Sequence, residues 1–456
     1  MTSQKLTVTF YGAVRSVTGS NFLVAGPAKK ILIDCGMFQG CNFCEDANHE
    51  AFPYDPTKID SLIVTHAHID HIGRIPKLCH EGFHGTIYST SATKELARYM
   101  LEDSLSIFAK EKKKSSYAPL FSQEDIERAL SLWEVIPYHK EMPFDGPFTF
   151  VLRDAGHILG SAMVDISHNG EHLVFTGDLG NSPAPLMKDT EVVHDAKYLV
   201  MESVYGDRLH EEGGRRKELL EDIIEETAHR DGTLLIPAFS LERTQILLYE
   251  INDLMERSRI PNIPVFVDSP LAIHVTSVYR NHIDDLNSHV QEVVRRGDDI
   301  FAFPKLTFTA SSEESRAIAR TPNPKIIIAG GGMSHGGRII EHEKHLLSDP
   351  KSTLLIVGYQ AAGSIGRQLQ EGAKKIRFHT DEVVVRASIK TISGYSGHRD
   401  SKGLLDFVES TADTLRKVFV VAGEEKAALF LVQRIRDYLG VNALSPTPAT
   451  PYELEF

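Results

Sequence analysis

Thr65-His66-Ala67-His68-Ile69-Asp70-His71 places three imidazoles and a carboxylate within one short loop. The run follows an apolar segment, Leu62–Thr65, that reads as a buried strand. A strand that delivers alternating histidines at its end suits a metal-binding loop better than a solvated surface. Imidazole and carboxylate are suitable ligands for zinc. Four ligands this close cannot all converge on one tetrahedral ion. Alternate residues can serve one ion and the following pair a second, so the spacing predicts a binuclear site.

Further ligands must then come from other strand ends. Short β-rich runs at Leu6–Phe10, Ile31–Asp34, Thr86–Ser89, Phe148–Leu152, Leu173–Thr176 and Tyr198–Met201 end in polar or glycine-rich turns. His157, in Ala155-Gly156-His157-Ile158-Leu159-Gly160, and Asp178, in Thr176-Gly177-Asp178-Leu179-Gly180, each follow a strand and sit beside glycines. Either alone reads as a turn or capping residue. Together with the histidine loop they form a ligand set on one rim of a sheet scaffold. Helical patterns occur at Thr93–Asp103 and Gln123–Trp133.

Beyond Tyr205 the texture changes to strand-then-helix alternation. Strands at Leu234–Pro237, Val265–Val267, Ile326–Ala329 and Leu354–Val357 are each followed by helical patterns, which predicts a parallel α/β layer. Strand runs return at Val383–Val385 and Val418–Val421, and an amphipathic helix, Lys426–Leu439, follows. The middle therefore reads as an insertion into a domain that opens and closes the chain. Ser445–Pro451 is expected to be extended. The stripes on Leu241–Met255 and Lys426–Leu439 are most simply core faces.

Composition narrows the class. The chain has 456 residues and 42% apolar content, enough for two or three domains with real cores. Lys and Arg number 49 against 62 Asp and Glu, a net charge of −13, which excludes a generically basic surface. A nucleic-acid partner would need a local groove or metal ions. Four cysteines cannot build a disulfide framework, and Cys41-x-x-Cys44 lacks the second pair of a structural zinc site. No run of 18 apolar residues spans a membrane. The opening MTSQKLTVTF has no signal-peptide character, so a cytoplasmic location is expected.

The ordered set Asp34, His66-x-His68-x-Asp70-His71, His157 and Asp178 resembles the metallo-β-lactamase fold. Glu202 in Met201-Glu202-Ser203-Val204-Tyr205-Gly206 and His398 in Ser393-Gly394-Tyr395-Ser396-Gly397-His398-Arg399-Asp400 match motifs A and B of its nucleic-acid-processing branch, the β-CASP family. Pro237–Gln245, Asp268–Ala272 and Gly358–Arg367 support the match. Relatives include the endonuclease of eukaryotic mRNA 3′-end cleavage and the RNase J enzymes. The resemblance implies an α/β fold: an αββα metallo-β-lactamase sandwich (1–205 and 384–456) with an inserted parallel α/β β-CASP domain (206–383). It implies a zinc-dependent endo- or 5′-exoribonuclease that hydrolyses single-stranded RNA with a metal-bridging hydroxide.

Carried over onto this chain, His66, His68 and His157 hold one Zn2+, Asp70 and His71 a second, and Asp178 bridges them. Asp34 orients ligands from behind, and His398 is the general acid, held by Glu202. The insertion is expected to act as a lid, with Arg243, His335, Arg338 and Arg367 as substrate contacts. The run Lys110-Glu111-Lys112-Lys113-Lys114 reads as a solvated loop or a backbone contact. One departure stands out. The family's motif C commonly reads strand-His-Gly-Glu, whereas Val421-Ala422-Gly423-Glu424 has alanine at the ligand position. A natural loss and an engineered substitution both account for it. A weakened second zinc and an impaired enzyme are expected, and a catalytically silent RNA-processing scaffold is the alternative. Homodimer formation is compatible with the sequence.

Overall fold

The computed structural model describes residues 5–40, 44–111, 117–210, 215–334, 336–360, 363–378 and 381–456. His335, Cys41 and Lys112, Lys113 and Lys114 lie outside the described residues. The chain divides into two compact units: Met1–Leu209 with His398–Phe456, and His210–Gly397.

The first unit is built on two seven-stranded sheets. In one, the order is Pro451–Glu455, Lys5–Phe10, Phe22–Ala25, Lys30–Ile33, Ser61–Ile63, Thr86–Ser89 and Trp133–Val135. In the other it is Ala443–Leu444, Lys417–Val420, Ala196–Met201, Glu171–Phe175, Ala162–His168, Phe148–Asp154 and Met142–Asp145. The two-residue period of a strand sends Leu6, Val8 and Phe10 to one face, where they meet Phe150, Val164, Phe175 and Phe419 of the other sheet. Full burial of Phe150 or Phe175 contributes about 1.5–3 kcal/mol each.

Helices cover the outer faces. Ser401–Glu409 and Glu425–Leu439 lay Leu404, Phe407, Leu431 and Ile435 on Val174, Leu199, Val418 and Val420. Helix Ser91–Glu111 flanks the first sheet, where Lys94 Nζ donates to the Trp133 carbonyl (2.6 Å). Helix Gln123–Ser131 starts at a capping box made by Ser122 and Asp125. The layering is therefore αββα.

The second unit holds a six-stranded sheet, ordered Leu306–Phe308, Val265–Asp268, Lys325–Gly330, Thr233–Ala238, Thr353–Ile356 and Ser388–Thr391, with every pairing parallel. Its four inner strands are buried along nearly their whole length, as expected where both faces are covered by crossover helices.

Three elements differ from the sequence reading. The helix expected over Gln123–Trp133 stops at Ser131, and Trp133 opens a strand because its indole N–H reaches Ser89 Oγ (2.8 Å). The run at Val383 pairs as Asp381–Val384 with Lys375–Phe378, in a two-stranded ribbon rather than in the sandwich. Past the extended tail, Pro451–Glu455 pairs antiparallel with Lys5–Phe10 and closes a sheet edge.

Candidate metal centre and active site

Every sequence-predicted ligand of the first unit lies just beyond the carboxyl end of a strand. Asp34 follows Lys30–Ile33, the histidine loop follows Ser61–Ile63, His157 follows Phe148–Asp154, and Asp178 follows Glu171–Phe175. Glu202 follows Ala196–Met201, and Ala422 follows Lys417–Val420. These strands run in the same direction within each sheet, so the loops collect on one rim. The glycines beside His157 and Asp178 make the approach possible. A Cβ on Gly180 would sit 2.0 Å from the Gly156 carbonyl oxygen, and Gly180 N donates to the Ala155 carbonyl (2.9 Å).

One ligand atom each of His66, His68, His157 and Asp178 lies within 4.8 Å of the others. His68 Nδ1 is 3.1 Å from His66 Nε2 and 3.3 Å from His157 Nε2. Asp178 Oδ2 is 3.3 Å from His66 Nε2 and 3.6 Å from His157 Nε2. Ligand bonds of about 2.0–2.1 Å in a tetrahedron give edges of about 3.3 Å. The donor set therefore fits one divalent cation in both chemistry and spacing. Burial and the facing His66 ring hold His68 well below the ordinary imidazole range. Burial and His398 do the same to His157. Both rings are thus neutral, the form that offers a lone pair.

The other oxygen of Asp178 looks elsewhere. Oδ1 is 3.5 Å from His71 Nε2, while His71 Nδ1 is 2.7 Å from Asp34 Oδ2. Burial pulls His71 down, but Asp178 and Asp34 outweigh it and raise it well above the usual value. Asp34 is fixed in turn by Thr65, whose N–H donates to Oδ1 (2.8 Å) and whose hydroxyl donates to Oδ2 (2.9 Å). Burial raises Asp70, within electrostatic reach of His71 and Asp178. His71 thus lies against Asp178 Oδ1, with the Asp70 carboxyl within electrostatic reach of both. Ala422 lines a small cavity there with Asp34, Thr65, His71 and Thr176 and supplies only a methyl group.

A second pair abuts the cluster. His398 Nδ1 is 3.2 Å from each Glu202 oxygen and 3.9 Å from Asp178 Oδ2. Burial lowers His398, but Glu202 and Asp178 overcome it and raise it to about 9. Glu202 is completely buried and accepts the Leu179 N–H (2.7 Å). Burial raises its carboxyl against the pull of His398.

The arginines chosen from sequence sit in the second unit. Arg243 is buried at 7% exposure. Arg338 is spent on Asp268 Oδ1 (2.5 Å) and on the Thr309 and Ala310 carbonyls. Arg367 pairs with Glu371 one helical turn away (2.6 Å). Sequence reasoning gave Thr65 no role, although its hydroxyl also lies 3.0 Å from His66 Nδ1.

Comparison with known proteins places this geometry. Residues 15–208 match the metallo-beta-lactamase superfamily, 244–369 the Beta-Casp domain, and 382–446 the Zn-dependent metallo-hydrolase RNA specificity domain. Ribonuclease TTHA0252 of Thermus thermophilus is 37% identical over 92% of this chain and 94% of its own length. The chain belongs to the β-CASP branch of the metallo-β-lactamase superfamily. An RNase J-like protein of Methanocaldococcus jannaschii is 30% identical, covering 97% of this chain and 98% of its own. The transcription termination factor FttA of the same organism is 31% identical over 94% of this chain and 68% of its own length. A protein of unknown function from Enterococcus faecalis V583 shares the fold at a TM-score of 0.58 and 13% identity, covering 99% of this chain and all of the other. As a β-CASP metallo-β-lactamase, the chain is a metal-dependent nuclease that uses a divalent cation. Among the described residues, no helix is long and apolar enough to cross a membrane.

Proposed function

We propose that this chain is a zinc-dependent ribonuclease that hydrolyses phosphodiester bonds of single-stranded RNA. The convergence of His66, His68, His157 and Asp178 at tetrahedral edge distances, with His398 and Glu202 against Asp178, carries the reading. His66, His68 and His157 would hold one Zn2+, Asp70 and His71 a second, with Asp178 shared. Such ions supply Lewis acidity, which makes water a usable nucleophile near neutral pH and offsets charge on the phosphate.

The protein's own groups do the rest. Asp34 holds the His71 ring through Nδ1, so that Nε2 faces Asp178. Glu202 holds His398 through Nδ1, which leaves Nε2 to carry the proton to the departing oxygen. The raised pKa keeps that proton in place at neutral pH. Ala422 lacks the ligand atom usual at its position, so the second cation is held more weakly than the first. The same residue favours the alternative of a silent RNA-processing scaffold.

Zinc-loaded protein, incubated with labelled single-stranded RNA, single-stranded DNA and a thioester, tests the reading. RNA cleavage is expected, and preferential thioester hydrolysis would overturn the proposal. His398→Ala should keep its zinc and lose at least about 100-fold in cleavage. Full activity in that variant removes the proton-donor role.

A further inference from the structure

The second unit carries a feature that none of the roles above uses. From Thr233–Ala238, at the centre of the parallel sheet, helix Arg243–Glu256 leads to Val265–Asp268, two places to one side. From its neighbour Lys325–Gly330, helix Ile339–Leu346 leads to Thr353–Ile356, two places to the other side. Right-handed crossovers in opposite directions put the two connections on opposite faces. A crevice therefore opens at the carboxyl ends of these two strands, the place where open α/β sheets bind ligands.

Phe239 stands at that point, directly after Ala238. It is a large apolar side chain left 38% exposed beside strands that are buried along nearly their whole length. Its backbone is fixed, because Thr244 donates to the Phe239 carbonyl from both N–H (3.2 Å) and hydroxyl (2.9 Å). The loops beyond the two flanking strands present glycines to the ring. A Cβ on Gly332 would lie 2.9 Å from Cδ2 and Cε2, and one on Gly358 would lie 3.5 Å from Cε2. Gln360, 3% exposed, ties these loops together, its Nε2 donating to the Gly332 (2.8 Å) and Gly358 (3.3 Å) carbonyls. Next to Phe239, the Ser240 and Ser269 hydroxyls lie 2.8 Å apart at the ends of neighbouring elements.

We propose that Phe239 is a stacking platform for a base of the single-stranded nucleic-acid substrate, an inference that rests on the nuclease reading above. One rigid ring among glycines, hydroxyls and an amide offers too little apolar area for a protein interface, yet matches a single planar base. A chain of net charge −13 also gains little from long-range attraction to phosphate, so affinity must draw on contacts such as stacking.

The test uses full-length protein with metal chelated, so that binding is read without cleavage. The probe is fluorescein-labelled decauridylate, against the same oligomer with abasic nucleotides, by fluorescence anisotropy. Phe239→Ala should weaken decauridylate binding about tenfold, and Phe239→Trp should restore it. The abasic oligomer should bind wild type as weakly as decauridylate binds Phe239→Ala, and should bind that variant no more weakly still. An unchanged Kd in Phe239→Ala, or an equal further loss on the abasic oligomer, overturns the proposal. Zinc-loaded wild-type protein that cleaves neither single-stranded RNA nor its DNA counterpart removes the nuclease reading, and this inference with it.

Discussion

Thr65 shows how a residue without metal-binding chemistry can set the state of a metal site. Its hydroxyl proton goes to Asp34 Oδ2, so its oxygen accepts from His66 Nδ1, 3.0 Å away. That relay fixes the His66 tautomer and leaves the Nε2 lone pair facing His68 and Asp178. Thr65→Val keeps the shape and removes the relay. The expected result is a divalent-metal affinity lower by about tenfold, read by competition with a chelating dye. Equal affinity would show that the tautomer is held some other way.

The candidate ligands stand out in the sequence, because imidazole and carboxylate carry their chemistry wherever the chain puts them, and the structure brings His66, His68, His157 and Asp178 together. Thr65 and Phe239 do not, because their roles come from contacts between distant strand ends. The surroundings of Arg243 and Arg338 were hidden for the same reason. Charge suggests exposure, but one is buried and the other neutralises buried Asp268.

At the scale of the element, the loop after Lys417–Val420 holds Ala422 firmly in place. Ala422 N donates to the Ala13 carbonyl (2.7 Å), and the Ala422 carbonyl accepts the Ser203 N–H (3.2 Å). The residue is pinned at φ 45°, a left-handed conformation that histidine tolerates better than most side chains. The adjoining cavity reaches His71 and Asp34. Ala422→His should therefore raise bound zinc towards two ions per chain, measured by mass spectrometry of the metal-loaded protein. It should also raise cleavage of single-stranded RNA. A zinc count equal to the parent's would mean that the loop does not present the ring to the second ion.

Elements were legible where the two-residue period runs unbroken, as in Lys5–Phe10 and Phe148–Asp154. Short edge strands such as Trp133–Val135 and Pro451–Glu455 were not, since a partner strand rather than a pattern makes them strands.

At the scale of the molecule, the change from rim-loop strands to strand–helix alternation marks an inserted layer in the sequence itself. What the sequence could not disclose is the set of carboxyls that layer buries. Burial raises Glu242 to about 7 even though the Tyr279 hydroxyl donates to it. Burial likewise raises Glu343 to about 7 despite the hydrogen bond from Ser334 (2.5 Å). Asp268 goes the other way. Burial would raise it, but bonds from His342, Ser315, Thr309 and Arg338 lower it to about 2.

The signs follow from which state holds more protons. Between about pH 4.5 and 7 the folded protein keeps protons on Glu242 and Glu343 that an unfolded chain has released, so stability falls as pH rises. Asp268 contributes fully above about pH 3.8, and that contribution is lost as pH falls towards 2. These three groups together place their greatest support near pH 4. The double variant Glu242→Gln and Glu343→Gln keeps acceptors for Tyr279 and Ser334 and has nothing to ionise. Measured by urea unfolding of the metal-free protein, its stability relative to wild type should climb steadily from pH 4.5 to 7 and then level off. A difference that stays flat across that window would mean that neither carboxyl is protonated in the fold.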